Sequence, residues 1–414
     1  MKQLGEMTKA RLGAMLLPLL ALALAGCATN ENLAGSRFAE AVRTSDCHNA
    51  AAALDANFET GAIGHCSSTG ESSFHLSLFP EDAPPINCSA WYAFRAVPAR
   101  QGKITLDLDY EACGHRYWPK TSLDGENWTP LDPADVSMTG EGYEKSARIA
   151  LTLTDEPLYV AAQEIITPSA YAKWLAGLAS HGDATLSSLG VSAEGRDIPL
   201  LAIASPVERQ RETILLVGRQ HPPEVSGALA MQPFVETLLD DTPLAKAFRA
   251  RFQTLVVPML NPDGVVHGHW RHNTGGVDLN RDWGPFTQPE TRLIGDLMHG
   301  VSADPARKLR LMMDFHSTQG DVFYTIPDEL PTDPEMFTKR WLSALQERMP
   351  DYQVNRNAQH RAGVPNSKAF VYDSYGIPGV TFELGDETDR VLIRRIGREA
   401  AVAMMETLLA SEAP

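Results

Sequence analysis

Apolar and polar positions change rhythm once along this chain, near Thr167. From about Ser36 to Val160 the apolar residues come in short bursts: "SSFHLSLF", "SAWYAFRAV", "GKITLDLDY", "SARIALTL" and "LYVAAQ". They alternate or run apolar for a few positions, and turn-forming stretches such as "EDAPP", "ARQG", "SLDGENW" and "MTGEGY" separate them. Short strands at this spacing, without a helical period, predict a β-sandwich or barrel. Its aromatic residues Trp91, Tyr92, Trp118 and Trp128 are expected to pack the core.

Beyond Thr167 the texture differs. "TPSAYAKWLAGLASHG" has an N-cap threonine, proline at the first helical position and a closing glycine, which predicts a helix. Apolar strands ("IPLLAIAS", "TILLVG", "TLVVPML", "KLRLMMDFH", "GVTFEL") then alternate with amphipathic segments ("SGALAMQPFVETLLDD", "PETRLIGDLMHG", "PEMFTKRWLSALQERM", "RVLIRRIGREAAVAMMETLLA"). Such alternation predicts a mostly parallel or mixed sheet with helices on both faces.

Polar clusters recur where these strands stop, and open α/β sheets keep ligands outside the carboxyl ends of their strands. "TILLV" runs into "GRQHPPE", "RLMMDF" into "HSTQG" and "GVTF" into "ELGDE". The topology would gather His221, Glu224, His316 and Glu383 on one rim. Two histidines and a carboxylate form a zinc set that leaves a fourth position open for water, and a second carboxylate can take that water's proton. Each residue has a plainer reading alone: His316 as a hydrogen-bonded loop histidine, Glu383 as a salt-bridge partner, H-x-x-E as a chance match. Four matched groups, with Asn280 and Arg281, all at strand ends favour the joint site.

Charge and cysteines narrow the setting. The 414 residues carry a net charge of −16. Lys2, Lys9, Arg11 and Glu6 fall within the first 26 residues, so the remainder stands at −18, which argues against nucleic acid or anionic lipid as partner. The basic start and the apolar stretch to Cys27 read as an export signal too short for a comfortable membrane span. "LAGC" resembles the lipobox of bacterial lipoproteins, which implies lipidation at Cys27; a signal cut elsewhere and a buried Cys27 are the alternatives. Ala28 after it implies the outer membrane, facing the periplasm. Cys47, Cys66, Cys88 and Cys113 predict two disulfides of undefined pairing. A four-cysteine zinc site lacks any close ligand pair.

"HPPE", "MLNPDGVVHGHWR", "GVDLNRDW", "DFHS" and "FELGD" occur in this order. Together they resemble the zinc carboxypeptidases of the funnelin superfamily, most of all the cytosolic-carboxypeptidase-like branch. The resemblance implies an α/β fold, a mixed sheet flanked by helices, preceded by a smaller antiparallel β-sandwich similar to "WYAFRAV" and "YWPKTSLDGENW". The expected order is a signal peptide at 1–26, a linker at 27–36, the sandwich at 37–162 and the peptidase domain at 165–414. It implies one Zn2+ held by His221, Glu224 and His316, with Glu383 as general base toward the metal-bound water. It assigns Asn280 and Arg281 to the substrate's terminal carboxylate, which a guanidinium matches bidentately, and Arg271 to the oxyanion. The expected partner is a peptide with a free C-terminal carboxylate.

Three departures stand out. Proline occupies position 223, where digestive members have a substrate-contacting arginine. Neither Tyr372 nor Tyr375 has a convincing spacing for the family's capping tyrosine. His267, His269 and His272 raise a second-metal reading, since strand alternation would place His267 and His269 on one face; a solvated hairpin edge is the simpler expectation. Lys368 and Arg361 are the candidates for a basic specificity residue. The rival functions are a cell-wall (murein) peptide amidase of the same fold, a deacylase of small N-acyl amino acids, and a non-catalytic binding lipoprotein. Retention of every ligand and of the base favours an enzyme.

Overall fold

The computed structural model describes residues 47–82, 89–206 and 211–411. The expected signal segment, linker, Cys27 and Cys88 lie outside the described residues. Among the described residues, no helix is long and apolar enough to cross a membrane.

The first domain is a sandwich of a six-stranded and a five-stranded sheet. Period-2 alternation builds its interior: Phe74, Leu76 and Leu78, Ile104, Leu106 and Leu108, and Ile149, Leu151 and Leu153 point inward from three neighbouring strands of one sheet. Leu54, Phe94, Ala96 and Val160 answer them from the other. Neighbouring strands are antiparallel with one exception: Ser73–Leu78 runs parallel to Gly102–Tyr110. Trp91 and Tyr92 join the core, as expected. Trp118 and Trp128 do not enter it fully: both are half-buried, with indole N–H groups donated to the carbonyls of Leu131 and Gly125. A disulfide joins Cys47 to Cys66, and Cys113 is also disulfide-bonded.

The second domain is a mixed α/β sheet with helices on both faces. Its strands are β1 (Ala184–Val191), β2 (Asp197–Ile203), β3 (Arg211–Gly218), β4 (Phe252–Val257), β5 (Arg307–Thr318), β6 (Val322–Thr325), β7 (Arg356–Ala358) and β8 (Gly379–Gly385). Their order across the sheet is β1-β2-β4-β3-β5-β8-β6-β7. The central strands β4, β3, β5 and β8 are mutually parallel. Covered on both faces, they read as continuous apolar runs rather than alternating ones.

Eight helices accompany this sheet among the described residues: α1 (Pro168–Leu178), α2 (Val225–Leu238), α3 (Pro243–Arg251), α4 (Pro262–Val266), α5 (Pro289–Ala303), α6 (Phe337–Arg348), α7 (Ser367–Tyr375) and α8 (Arg390–Leu409). Helices α2, α3, α6 and α8 enclose a large core on one face, where Phe315 stacks on Phe382 and Phe234, Phe323 and Trp341 meet them or one another edge-on or tilted. Helices α5 and α7 cover the other with Ile294, Met298 and Val371 over Leu215, Val217 and Met312. Strand alternation sends Phe315 and Phe382 into the first core. The same alternation sends Asp314, His316 and Glu383 toward the second side.

The two domains are stitched together beside the carboxyl ends of the central strands. Arg116 Nε donates to Asp386 Oδ2 at 2.8 Å, Lys120 Nζ pairs with Glu387 at 3.1 Å, and Arg390 Nε pairs with Glu164 at 2.7 Å. Trp270, from the second domain, packs in the sandwich core.

Candidate metal centre and active site

β3 ends at Gly218, and the chain turns through Arg219, whose φ of 52° is left-handed and unusual for a residue with a Cβ. Arg219 is buried, and its guanidinium holds the turn by donating to the carbonyls of Pro222 at 2.6 Å and Ile166 at 3.4 Å. Two prolines then deliver Glu224 to the N-cap of α2. Its carboxylate makes no capping bond and is turned instead toward two imidazoles. Oε1 lies 2.7 Å from His221 Nδ1, and Oε2 lies 2.6 Å from His316 Nδ1.

His316 comes from β5, and α2 reaches it because residue 227 is glycine. A Cβ there would lie 2.5 Å from the His316 carbonyl oxygen and 2.8 Å from its C and N. The Gly227 N–H donates to Ser317 Oγ at 2.9 Å. Glu383 stands on the neighbouring strand β8, directly opposite His316 in the register. One oxygen of its carboxyl group, Oε2, is buried without a hydrogen-bond partner among the described residues.

Both histidines are held from behind by carboxylates that the sequence reading did not single out. His221 Nε2 donates to Asp278 Oδ1 at 2.8 Å, and His316 Nε2 forms an ion pair with Asp314 Oδ2 at 2.8 Å. An ionised carboxylate only accepts, so each Nε2 carries the proton and each Nδ1 is turned into the site. Gln220 Nε2 and Ser367 Oγ also donate to Asp314 Oδ2, each at 2.5 Å. Asp278 additionally receives Arg271, from Nε at 2.8 Å and Nη2 at 2.7 Å, and caps the turn Leu279–Arg281 through the Asn280 N–H at 2.9 Å.

The electrostatics follow from this packing. Burial alone would raise the Glu224 carboxyl, but His221 and His316 outweigh it and hold it well below the usual range. Burial likewise opposes charge on His316, and Asp314 with Glu224 overcomes it, raising that imidazole well above its ordinary value. Glu383 goes the other way: burial first, then the Glu224 charge, push it up to about 7. Two carboxylates side by side are thus driven apart, one anionic and one poised near neutrality.

These donors fit a bound cation. Single ligand atoms of His221, Glu224 and His316 all lie within 4.8 Å of one another. Two imidazole nitrogens and one carboxylate, with both outer nitrogens braced, are the donor chemistry that zinc takes in a site with an open position.

The remaining residues fall into place unevenly. Asn280 is buried, its Oδ1 accepting from the Ser367 N–H at 2.9 Å. Its Nδ2 lies 3.3 Å from His316 Nε2. Arg281 is exposed, with Nη1 on the Asn280 carbonyl at 2.7 Å. Arg271 is buried against Asp278. Asn261 caps α4 and ties the carbonyls of Gln220 and His272 together with its Nδ2 at 3.0 and 3.1 Å.

The expected strand over His267 and His269 is not there. Asn261 and Pro262 start helix α4, His267 closes it, and the chain turns sharply afterwards. His267 pairs with Glu194, His269 faces the His272 carbonyl, and His272 pairs with Glu81 and Asp82, so the three side chains have separate partners. The Lys368 ammonium, pushed down to about 8 by burial, is directed at the backbone carbonyls of Gln359 and Thr325. Arg361 is exposed.

Residues 171–403 match the zinc carboxypeptidase family. Cytosolic carboxypeptidase 2 of Danio rerio is 26% identical over 387 residues, 86% of this chain and 51% of that protein. The chain thus spans about half the length of that relative, and 56% of cytosolic carboxypeptidase 6 of Homo sapiens, which is 32% identical over 287 residues and 64% of this chain. A metallo-carboxypeptidase structure from Burkholderia cenocepacia superposes with a TM-score of 0.73 at 20% identity, covering 86% of this chain and 99% of that one. That likeness extends the shared fold across both domains, the sandwich included. The chain belongs to the zinc carboxypeptidase family.

Proposed function

We propose that this protein is an exported zinc carboxypeptidase that hydrolyses C-terminal peptide bonds with one zinc ion per chain. The observation that carries the reading is the placement of Glu383, with its raised pKa, opposite His316 and beside the three converging donors. Bound zinc supplies a Lewis acid that polarises a carbonyl and acidifies water. Glu383 takes a proton from the attacking water and returns it to the leaving amine, a role suited to a group poised near neutrality. Arg281, exposed at the turn beside Asp278, offers a fork to the terminal carboxylate, and the Asn280 amide adds donors next to it. Arg271 engages Asp278 through Nε and Nη2, which leaves Nη1 for the developing oxyanion.

Export and lipidation at Cys27 rest on "LAGC" after a basic, apolar start. The Cys47–Cys66 disulfide supports an oxidising compartment.

The test is amino-acid release by the zinc-loaded protein from peptides with acidic, basic, aliphatic and diaminopimelate-containing C-termini, each as free acid and as amide. Release from free acids alone supports the carboxypeptidase reading. Cleavage of the amides as well, or of diaminopimelate peptides only, would move the assignment to a cell-wall peptide amidase. Zinc binding without any cleavage would leave a binding protein.

A further inference from the structure

One carboxylate of the sandwich engages the chain beside the active site. Glu81 accepts hydrogen bonds from three consecutive backbone N–H groups of the second domain: Trp270 at 2.5 Å, Arg271 at 3.0 Å and His272 at 2.8 Å. The His272 imidazole adds Nδ1 at 3.4 Å from the same carboxylate. Around this point, Trp270 Nε1 donates to Tyr117 Oη at 2.8 Å, and the Thr60 N–H donates to the Val266 carbonyl at 2.9 Å. The segment 266–272 is therefore shaped against the sandwich and not only by its own domain.

What the segment carries makes this more than adhesion. The Arg271 guanidinium grips Asp278 Oδ2, whose partner oxygen Oδ1 holds His221 Nε2. One chain of contacts runs from Glu81 through the Arg271 backbone and guanidinium to Asp278 and on to a metal-ligand histidine. Backbone N–H groups are fixed donors, so a carboxylate gathering three of them sets the path of the chain and with it the origin of the Arg271 side chain. A mere interface contact needs no such address.

We propose that Glu81 is a positioning residue for the reaction, by which the sandwich sets Arg271 and Asp278 in the peptidase site. This rests on the carboxypeptidase reading above.

The experiment is a double-mutant cycle between Glu81→Ala and Arg271→Ala in the full, zinc-loaded protein. It reads kcat, KM, and the affinities of a phosphonate peptide analogue and of the product amino acid. A phosphonate mimics the tetrahedral transition state, whereas the product reports ground-state binding. Glu81→Ala is expected to lower kcat about tenfold, within the range of losses for residues that support a site from behind. KM and product affinity should stay within about twofold of the starting protein, phosphonate affinity should fall with kcat, and the effect should vanish on the Arg271→Ala background, as coupled residues require. Glu81→Gln, which keeps one acceptor oxygen and the side-chain size, should recover part of the loss and serves if the alanine variant does not fold.

Fully multiplicative effects of the two substitutions, or a lowered melting temperature with unchanged kcat, would overturn the proposal. If the starting protein cleaves no peptide, the peptidase reading fails by itself. Zinc loss to a chelator then decides: faster loss from Glu81→Ala supports the relay, and equal rates overturn it.

Discussion

Asp314 lies two residues before His316 on β5, on the same face of the strand, and its Oδ2 forms an ion pair with His316 Nε2 at 2.8 Å. The pair shares one strand, so no loop motion separates them. This ion pair favours the tautomer that turns Nδ1 toward Glu224, and the same oxygen also receives Gln220 and Ser367. Asp314→Asn keeps the shape but puts a weaker acceptor, or a competing donor, behind the imidazole. Zinc affinity is expected to fall about 10–100-fold. Competition with a chromophoric chelator measures it, and an unchanged affinity would refute the bracing role.

Glu383→Gln separates chemistry from metal binding. The side chain is opposite His316 but belongs to none of the three converging donors. The variant should keep one zinc per chain and its melting temperature while kcat falls about 10²–10⁴-fold, the range for a lost general base. His316→Ala should lose zinc as well. Near-normal turnover by Glu383→Gln would sink the assignment of the base.

Much of the architecture was legible because two periodicities were clean. Alternation at Phe74, Leu76 and Leu78 marked a half-buried strand, and the unbroken apolar run before Gly218 marked a central parallel one. The converging candidate donors stand out in the sequence because they interrupt such runs abruptly. The braces were harder, since Asp278 lies 57 positions beyond His221 in the chain. Asp314 did leave a signal: "DFH" on a strand puts its first and third residues on one face. β1 went unnoticed because it is an edge strand with mostly exposed positions, and β6 and β7 are too short to show a period. For His267 and His269 strand alternation does not apply, because His267 caps a helix and His269 follows it. "NPDG" already held the N-cap and first-turn proline of a short helix, and those local signals prevailed.

Gly227 is a packing requirement of the site. A methyl group at this position meets the backbone of His316, not the end of a flexible side chain, so neither α2 nor β5 yields cheaply. Gly227→Ala should destabilise the protein by about 1–3 kcal/mol, the usual cost of overpacking. It should also weaken zinc binding, because both Glu224 on α2 and His316 on β5 lie at the displaced contact. Chemical denaturation and zinc stoichiometry measure the two effects. A stable variant with full zinc content would show that the helix can shift without opening the site.

Metal removal should have a structural cost as well as a catalytic one. Glu224 is an anion with little exposure, and its two imidazole neighbours are buried. A cation at this point meets a carboxylate already held in its charged form and two nitrogens already turned inward, and it displaces the proton that the raised His316 imidazole holds. Whatever binds the folded chain alone stabilises it by mass action, about 4.1 kcal/mol when the free ion stands at a thousand times its dissociation constant. Chelator-treated protein should therefore melt at a lower temperature and recover on addition of zinc. The shift should shrink in His316→Ala, which lacks a ligand, and persist in Glu383→Gln, which does not. Equal zinc-dependent shifts in both variants would place the ion elsewhere.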